Sequence, residues 1–289
     1  MKKFIAILAI LVALCLAAAG CAAPAAEEAA APAGEEPPVE EAAPAEEAAE
    51  QVELIVFAAA SLQETLTQIG ELYQAVAPNV TLIFSFDSSG TLKTQIQEGA
   101  DCDLFISAAQ KQMNQLDAAA DPEVNTEGLD FVEQGTRVDL LENKVALVVP
   151  EGNPANINSF ADIANCESIA LGNDDVPVGQ YSIEILTNLG LLEGLESGSK
   201  ITYGSNVKEV TTQVSESAVD CGIVYATDAF SAGLTIVDQA QEDMCSQVIY
   251  PAAVLNISQH MEEAKAFLAY LQGEEATAVF ESVGFAPVG

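Results

Sequence analysis

Four short stretches of this chain put small residues and hydroxyls where an apolar run gives way to a helix-like one. "AAASLQE" offers Ser61 with Glu64 three residues on, the pattern of a capping box. In that pattern the serine oxygen accepts from a backbone amide while its own proton stays free to donate outward. "FDSSGTL" offers Ser88, Ser89 and Gly90 ahead of Leu92, and "DVPVGQYS" sets Val178 and Gly179 at the start of the stretch carrying Tyr181. "YGSNVKE" places Ser205 and Asn206 before Glu209, a second capping pattern. A helix start leaves amides unpaired and carries a partial positive charge, so it attracts an anion without needing a cation. Several such starts aimed into one cleft would form an oxyanion cage, each charge-assisted hydrogen bond contributing about 1.5–3 kcal/mol. Any one serine taken alone reads as a cap.

The elements needed to bring these turns together are legible around them. "VELIVFAA", "VTLIFSF" and "CDLFISA" alternate with "LQETLTQIGELYQAV", "TLKTQIQEG" and "QKQMNQLDAA", which predicts βαβ units and a mainly parallel sheet. A second set follows in "KVALVVP", "SIALG", "KITYG" and "CGIVYA", interleaved with "QYSIEILTNLGLL" and "VKEVTTQVSESA". "KVALVVPEG" and "QVIYPAAVL" are the candidate crossings between the sets, and the final stretch reads as helices that return to the first. Two α/β lobes joined by two crossings enclose a cleft, and ligands of open α/β sheets gather at the carboxyl ends of strands.

The two ends of the chain set its compartment. Lys2 and Lys3, an apolar run from Phe4, and Ala18-Ala19-Gly20-Cys21 have the layout of an export signal, with an apolar run shorter than the roughly 20 residues a bilayer requires. Residues 1–20 are therefore expected to be a lipoprotein signal peptide and Cys21 the lipidated first residue of the mature chain. Residues 21–51 are nearly all Ala, Glu and Pro, a composition that buries almost nothing and repels itself; a disordered tether is expected there. The predicted location is extracytoplasmic, held to the cell membrane through the lipid alone.

A formal charge of −35 with nine Lys and Arg excludes nucleic acid as a partner, because phosphate neutralisation needs clustered cations. Catalysis is not expected either. The lone histidine, His260, lies at a helix start in "ISQHMEEAKAF", and no lysine sits in a nucleophile-elbow pattern. No Cys-x-x-Cys spacing suggests a metal, and no cofactor is expected. Of Cys102, Cys166, Cys221 and Cys245, the second and third each precede a short apolar run; were those runs neighbouring parallel strands, the two thiols would share one sheet edge and could pair.

"VFAAASL", "SFDSSGTLKTQIQEGADCDLFISAAQKQMNQL", "VPVGQYS", "GIVYATDA" and "YLQGEEATAVFESVGF" resemble, in matching order from about Glu53 to Gly289, the molybdate-binding proteins of ABC-type molybdate uptake. The resemblance implies a two-lobe, type II periplasmic-binding α/β fold. Its expected lobes are residues 52–142 with 251–289, and residues 143–250. It also implies a monomer that captures molybdate, and tungstate, for an ABC transporter permease. Carried over by motif, the anion would be held by the hydroxyls of Ser61, Ser89 and Tyr225 and by the backbone amides of Val178 and Val207. Lys208, beside Val207, reads as a solvated lysine. Asp87 departs from the pattern, standing where relatives commonly have a small neutral residue. A carboxylate facing the cleft would favour hydrogen phosphate, which has a proton to give, over molybdate. Phosphate, sulfate or a small organic acid is therefore the alternative ligand.

Overall fold

The computed structural model describes residues 50–288; the leader, Cys21 and all but the end of the tether lie outside the described residues. The chain starts with β1 (Val52–Ala59), a short 3-10 turn at Ala60–Leu62, α1 (Gln63–Val76), β2 (Val80–Asp87), α2 (Ser89–Gln97), β3 (Leu104–Ile106) and α3 (Gln110–Asn114). β4 (Val138–Asn143) and β5 (Val145–Val149) follow, then β6 (Ile169–Gly172), α4 (Pro177–Asn188), α5 (Leu192–Ser197), β7 (Ile201–Gly204), α6 (Val207–Ser215), β8 (Cys221–Tyr225), α7 (Ala226–Ser231) and β9 (Thr235–Gln239). β10 (Val248–Val254), α8 (Met261–Leu271), α9 (Glu274–Ser282) and β11 (Ala286–Pro287) complete it.

The strands form two sheets flanked by helices, ordered β11-β4-β10-β3-β1-β2 and β7-β6-β8-β5-β9. β1 is an interior strand of the first, and its apolar run serves both faces: Leu54, Val56 and Ala58 join the large core, while Phe57 belongs to a second cluster with Leu92, Ile96 and Phe105. This is the period-two alternation of a strand covered on both sides. The last helices do return to the first sheet, where Tyr73 of α1 meets Phe267 of α8 with ring centroids 4.9 Å apart.

Both sheets are mixed rather than mainly parallel. β1 pairs in parallel with β2 and β3, and β6 with β7 and β8, whereas β10 runs antiparallel to β3 and β4, and β5 antiparallel to β8 and β9. The antiparallel strands are those on either side of the two sheet-to-sheet transfers, where the chain enters a sheet from the end opposite to a βαβ crossover. Those transfers occur at Lys144, between β4 and β5, and between β9 and β10. Asn143 and Val248–Tyr250, which the sequence reading assigns to the second lobe, thus lie on strands of the first sheet.

Cys166 and Cys221 do stand at one edge, since Ile169 of β6 pairs with Cys221 of β8. Both are buried free thiols, and the sulfur contact between them together with burial holds the Cys221 thiol up.

Candidate functional site

The carboxyl ends of β1, β2 and β3 in one sheet and of β6, β7 and β8 in the other feed the turns that carry the predicted residues. Ser61, Ser89, Val207 and Tyr225 line a single small cavity, with Ala59, Ala60, Asp87, Ser88 and Ala108 from the first sheet's turns. Val178 does not line it; Val176 and Pro177 form that part of the wall, and Val178 is buried in the first turn of α4. The space open to the centre of a water-sized sphere is about 10 Å³, room for roughly one water. No lysine or arginine is among the lining residues.

The two serines are positioned by different means. Ser88, not Ser89, caps α2: its oxygen accepts from the Thr91 amide at 3.1 Å, and its hydroxyl donates to Thr91 Oγ1 at 2.8 Å. Ser89, in the first turn and fully buried, accepts from the Ala108 amide at 2.9 Å through its Oγ. With a lone pair so occupied, its own proton is available to an acceptor in the cavity.

Ser61 is not the cap that its spacing from Glu64 suggests. It sits inside the 3-10 turn, α1 starts at Gln63 without a side-chain cap, and Ser61 Oγ lies 2.9 Å from Tyr250 Oη instead. Glu64 turns away to Lys208 Nζ, 2.7 Å from its Oε2.

In the second sheet's turns the local pattern holds. Asn206 caps α6 by accepting from the Glu209 amide at 3.1 Å, and Glu209 reaches back to the Ser205 amide at 2.7 Å. Pro177 occupies the first turn of α4, where its missing N–H costs nothing. Gly179 is required there by close approach, since a Cβ on it would stand 2.3 Å from the Gly172 carbonyl oxygen. The Tyr225 hydroxyl donates to the Ala108 carbonyl at 3.3 Å, so Ala108 serves Ser89 with its amide and Tyr225 with its oxygen. Burial, with Tyr250 and Tyr181 nearby, holds the Tyr225 phenol well above its usual range, so it remains a donor.

Contacts cross between the two sets of turns. The Gly90 amide donates to the Asp175 carbonyl at 3.0 Å, and Asn206 Nδ2 lies 3.5 Å from Asp87 Oδ1. Asp87, half-buried, also accepts from the Ser88 amide at 2.7 Å and is among the residues that line the cavity. Lys208 is not a solvated lysine: besides Glu64 it reaches Asp228 Oδ1 at 3.2 Å. Burial pulls its ammonium down, but Asp228 and Glu64 outweigh that and hold it above the usual lysine range. Asp228 is wholly buried, and burial pushes its carboxyl up to about 6 against the pull of Lys208. Both shifts are upward, which favours the charged lysine but the neutral carboxyl, because Asp228 has lost all its water whereas the Lys208 side chain keeps 26% of its exposure.

A sequence profile described as bacterial extracellular solute-binding protein matches residues 54–286. The chain belongs to that family. It is 37% identical over 238 residues, covering 82% of this chain and 87% of the relative, to YvgL of Bacillus subtilis (strain 168), named as a candidate ABC transporter substrate-binding lipoprotein. It is 32% identical over 244 residues, covering 82% of this chain and 90% of the relative, to the molybdate-binding protein ModA of Escherichia coli (strain K12). Among solved structures, the substrate-binding domain of a candidate molybdenum ABC transporter from Clostridium difficile matches with TM-score 0.61 and 34% identity, over 83% of this chain and all (100%) of that one. The periplasmic molybdate-binding protein of Azotobacter vinelandii matches with TM-score 0.70 at 22% identity, over 82% of this chain and 100% of that one, a likeness of fold alone.

The site chemistry is that expected of a solute-binding protein. Among the described residues the hydrogen-bond partners of Ser61, Ser88 and Ser89 include no histidine or lysine that could take a proton, as an activated nucleophile requires. Sequence reasoning missed Tyr250, Asn143 and the double role of Ala108. Nothing in "VIYPAAV" marks Tyr250 as a neighbour of Ser61, because 189 residues separate them.

Proposed function

We propose that this chain captures molybdate, and also tungstate, outside the cytoplasm and delivers it to an ABC transporter permease, acting as a monomer anchored through Cys21. The observation that carries this reading is the state of the two serine hydroxyls. Ser89 has its oxygen engaged by a backbone amide and Ser61 Oγ lies 2.9 Å from the Tyr250 hydroxyl, in a cavity without cations. Such hydroxyls give protons and suit an oxyanion that has none to offer. The Tyr225 hydroxyl would exchange its 3.3 Å bond to the Ala108 carbonyl for the ligand, and the Val207 amide adds a donor at the start of α6, where the helix field favours negative charge; the Val178 amide, in the first turn of α4, would reach the anion only from outside the present lining. The reading is supported by one relative named a molybdate-binding protein and a solved structure named as the substrate-binding domain of a candidate molybdenum ABC transporter.

Asp87 in the cavity wall favours a second reading, hydrogen phosphate, whose proton it could accept. Calorimetric titration of the full chain with molybdate, tungstate, sulfate and phosphate at pH 6 and 8 separates the two. Molybdate and tungstate are expected to bind most tightly at both pH values, and a phosphate preference at either pH would replace the molybdate reading. Ser89→Ala and Tyr225→Phe are expected to weaken molybdate binding about tenfold or more each, one charge-assisted hydrogen bond apiece.

A further inference from the structure

Behind Ser61 runs a chain of buried polar groups whose direction is set at the sheet-to-sheet transfer. The Lys144 amide donates to Asn143 Oδ1 at 2.8 Å. That bond fixes which way the Asn143 amide faces, because the flipped form would set its NH₂ against another N–H donor. Asn143 Nδ2 is thereby presented to Thr227 Oγ1 at 2.8 Å and to Tyr250 Oη at 3.2 Å. Tyr250 is wholly buried, and Asn143 and Ser61 are its hydrogen-bond partners among the described residues. Its oxygen accepts from Asn143, so its proton has Ser61 Oγ as its acceptor. The reverse arrangement would leave the phenolic proton only the neighbouring Tyr225 oxygen, outside the geometry of an ordinary hydrogen bond, at a cost of about 1–3 kcal/mol. Ser61 then accepts from Tyr250, and its own proton is left for the cavity.

We infer that Asn143 and Tyr250 are positioning residues for oxyanion binding, forming a relay from the Lys144 amide that makes Ser61 an obligate hydrogen-bond donor to the ligand. This rests on the reading of Ser61 as a ligand-binding residue. Asn143 ends the strand at which the chain leaves the first sheet, and Thr227 lies in α7 beside the second. The same amide therefore ties Ser61 to both sides of the cavity. Tyr250 also packs edge-on against Tyr225, ring centroids 5.7 Å apart, so one residue backs two of the three hydroxyls.

The test is a double-mutant cycle on the full chain, with molybdate affinity measured by calorimetry for the natural sequence, Ser61→Ala, Tyr250→Phe and the double variant. Ser61→Ala is expected to weaken binding at least about tenfold and Tyr250→Phe about fivefold, while Tyr250→Phe in the Ser61→Ala background costs less than about twofold. A merely structural Tyr250 would lower affinity equally in both backgrounds, and that additivity, or an unchanged affinity in Tyr250→Phe, overturns the relay. Unchanged affinity in Ser61→Ala overturns the placement of Ser61 at the ligand, and the relay with it. If thermal unfolding shows Tyr250→Phe to be misfolded, Asn143→Ala takes its place in the same cycle, with the same expected coupling to Ser61 and the same additive outcome against it.

Discussion

The Gly90 amide donates to the Asp175 carbonyl at 3.0 Å, and a Cβ added to Gly90 would stand 2.4 Å from that oxygen. This contact joins the first turn of α2 to the turn ahead of α4, one from each side of the cavity. Gly90→Ala therefore separates folding from binding. Alanine in a helix is favoured over glycine by up to about 1 kcal/mol, which offsets part of the cost of parting the two turns, so the thermal melt should shift little. The added methyl prevents the two turns from meeting, and molybdate affinity is expected to fall tenfold or more by calorimetry. Unaltered affinity would show that this contact is not part of the liganded state.

Adjacent serines predict different phenotypes. Ser88 caps α2 and its hydroxyl is engaged by Thr91, so Ser88→Ala should cost about 1 kcal/mol of stability in denaturant unfolding. Its affinity should change less than threefold. Ser89→Ala should lose affinity about tenfold or more, and stability as well, because it leaves the buried Ala108 amide without its acceptor.

What could be read from the sequence divides along the same line. The alternation of apolar runs and amphipathic stretches locates most strands and helices, and the tight turns around Gly90, Gly179 and Asn206 are local chemistry. Caps whose partner is three residues away are legible, as at Asn206 and Glu209. Ser61 and Glu64 carry the same spacing and do something else, because their partners, Tyr250 and Lys208, come from distant parts of the chain. The antiparallel members of both sheets were hidden for a related reason. An apolar run such as "KVALVV" states that a strand is buried, while its direction depends on where the chain re-enters the sheet.

Asp228 gives the protein a pH dependence of known sign. Its carboxyl is raised in the folded state from 3.8 to about 6, so the folded chain holds that proton more tightly than the unfolded chain does. The contribution is fully present below the unfolded value and is lost as pH rises through about 6. Asp117 and Asp162 are shifted downward and act in the opposite direction, losing stability only on acidification. The difference between the natural sequence and Asp228→Asn isolates the one group. From pH 4 to pH 7 the natural protein should lose about 2–3 kcal/mol relative to the variant, measured by urea unfolding across that range. Parallel profiles would mean that Asp228 ionises in the folded protein as it does in water.

Glu64 and Lys208 join α1 to α6, so their ion pair spans the cavity from outside. Half of the Glu64 side chain is exposed (50%), and a pair of that kind contributes no more than about 1 kcal/mol to folding. Glu64→Gln should leave the melting temperature nearly unchanged while removing a charge attraction that favours contact of the two helices. Molybdate affinity is expected to fall about two- to fivefold at low ionic strength, and the gap should close as added salt screens the pair in the parent protein. Lys208→Met should behave differently, because it leaves Asp228 buried without a cation. Its stability loss should be large at pH 8 and small at pH 5, where the carboxyl is protonated. Equal losses at the two pH values would detach Lys208 from Asp228 and leave the lysine as a partner of Glu64 alone.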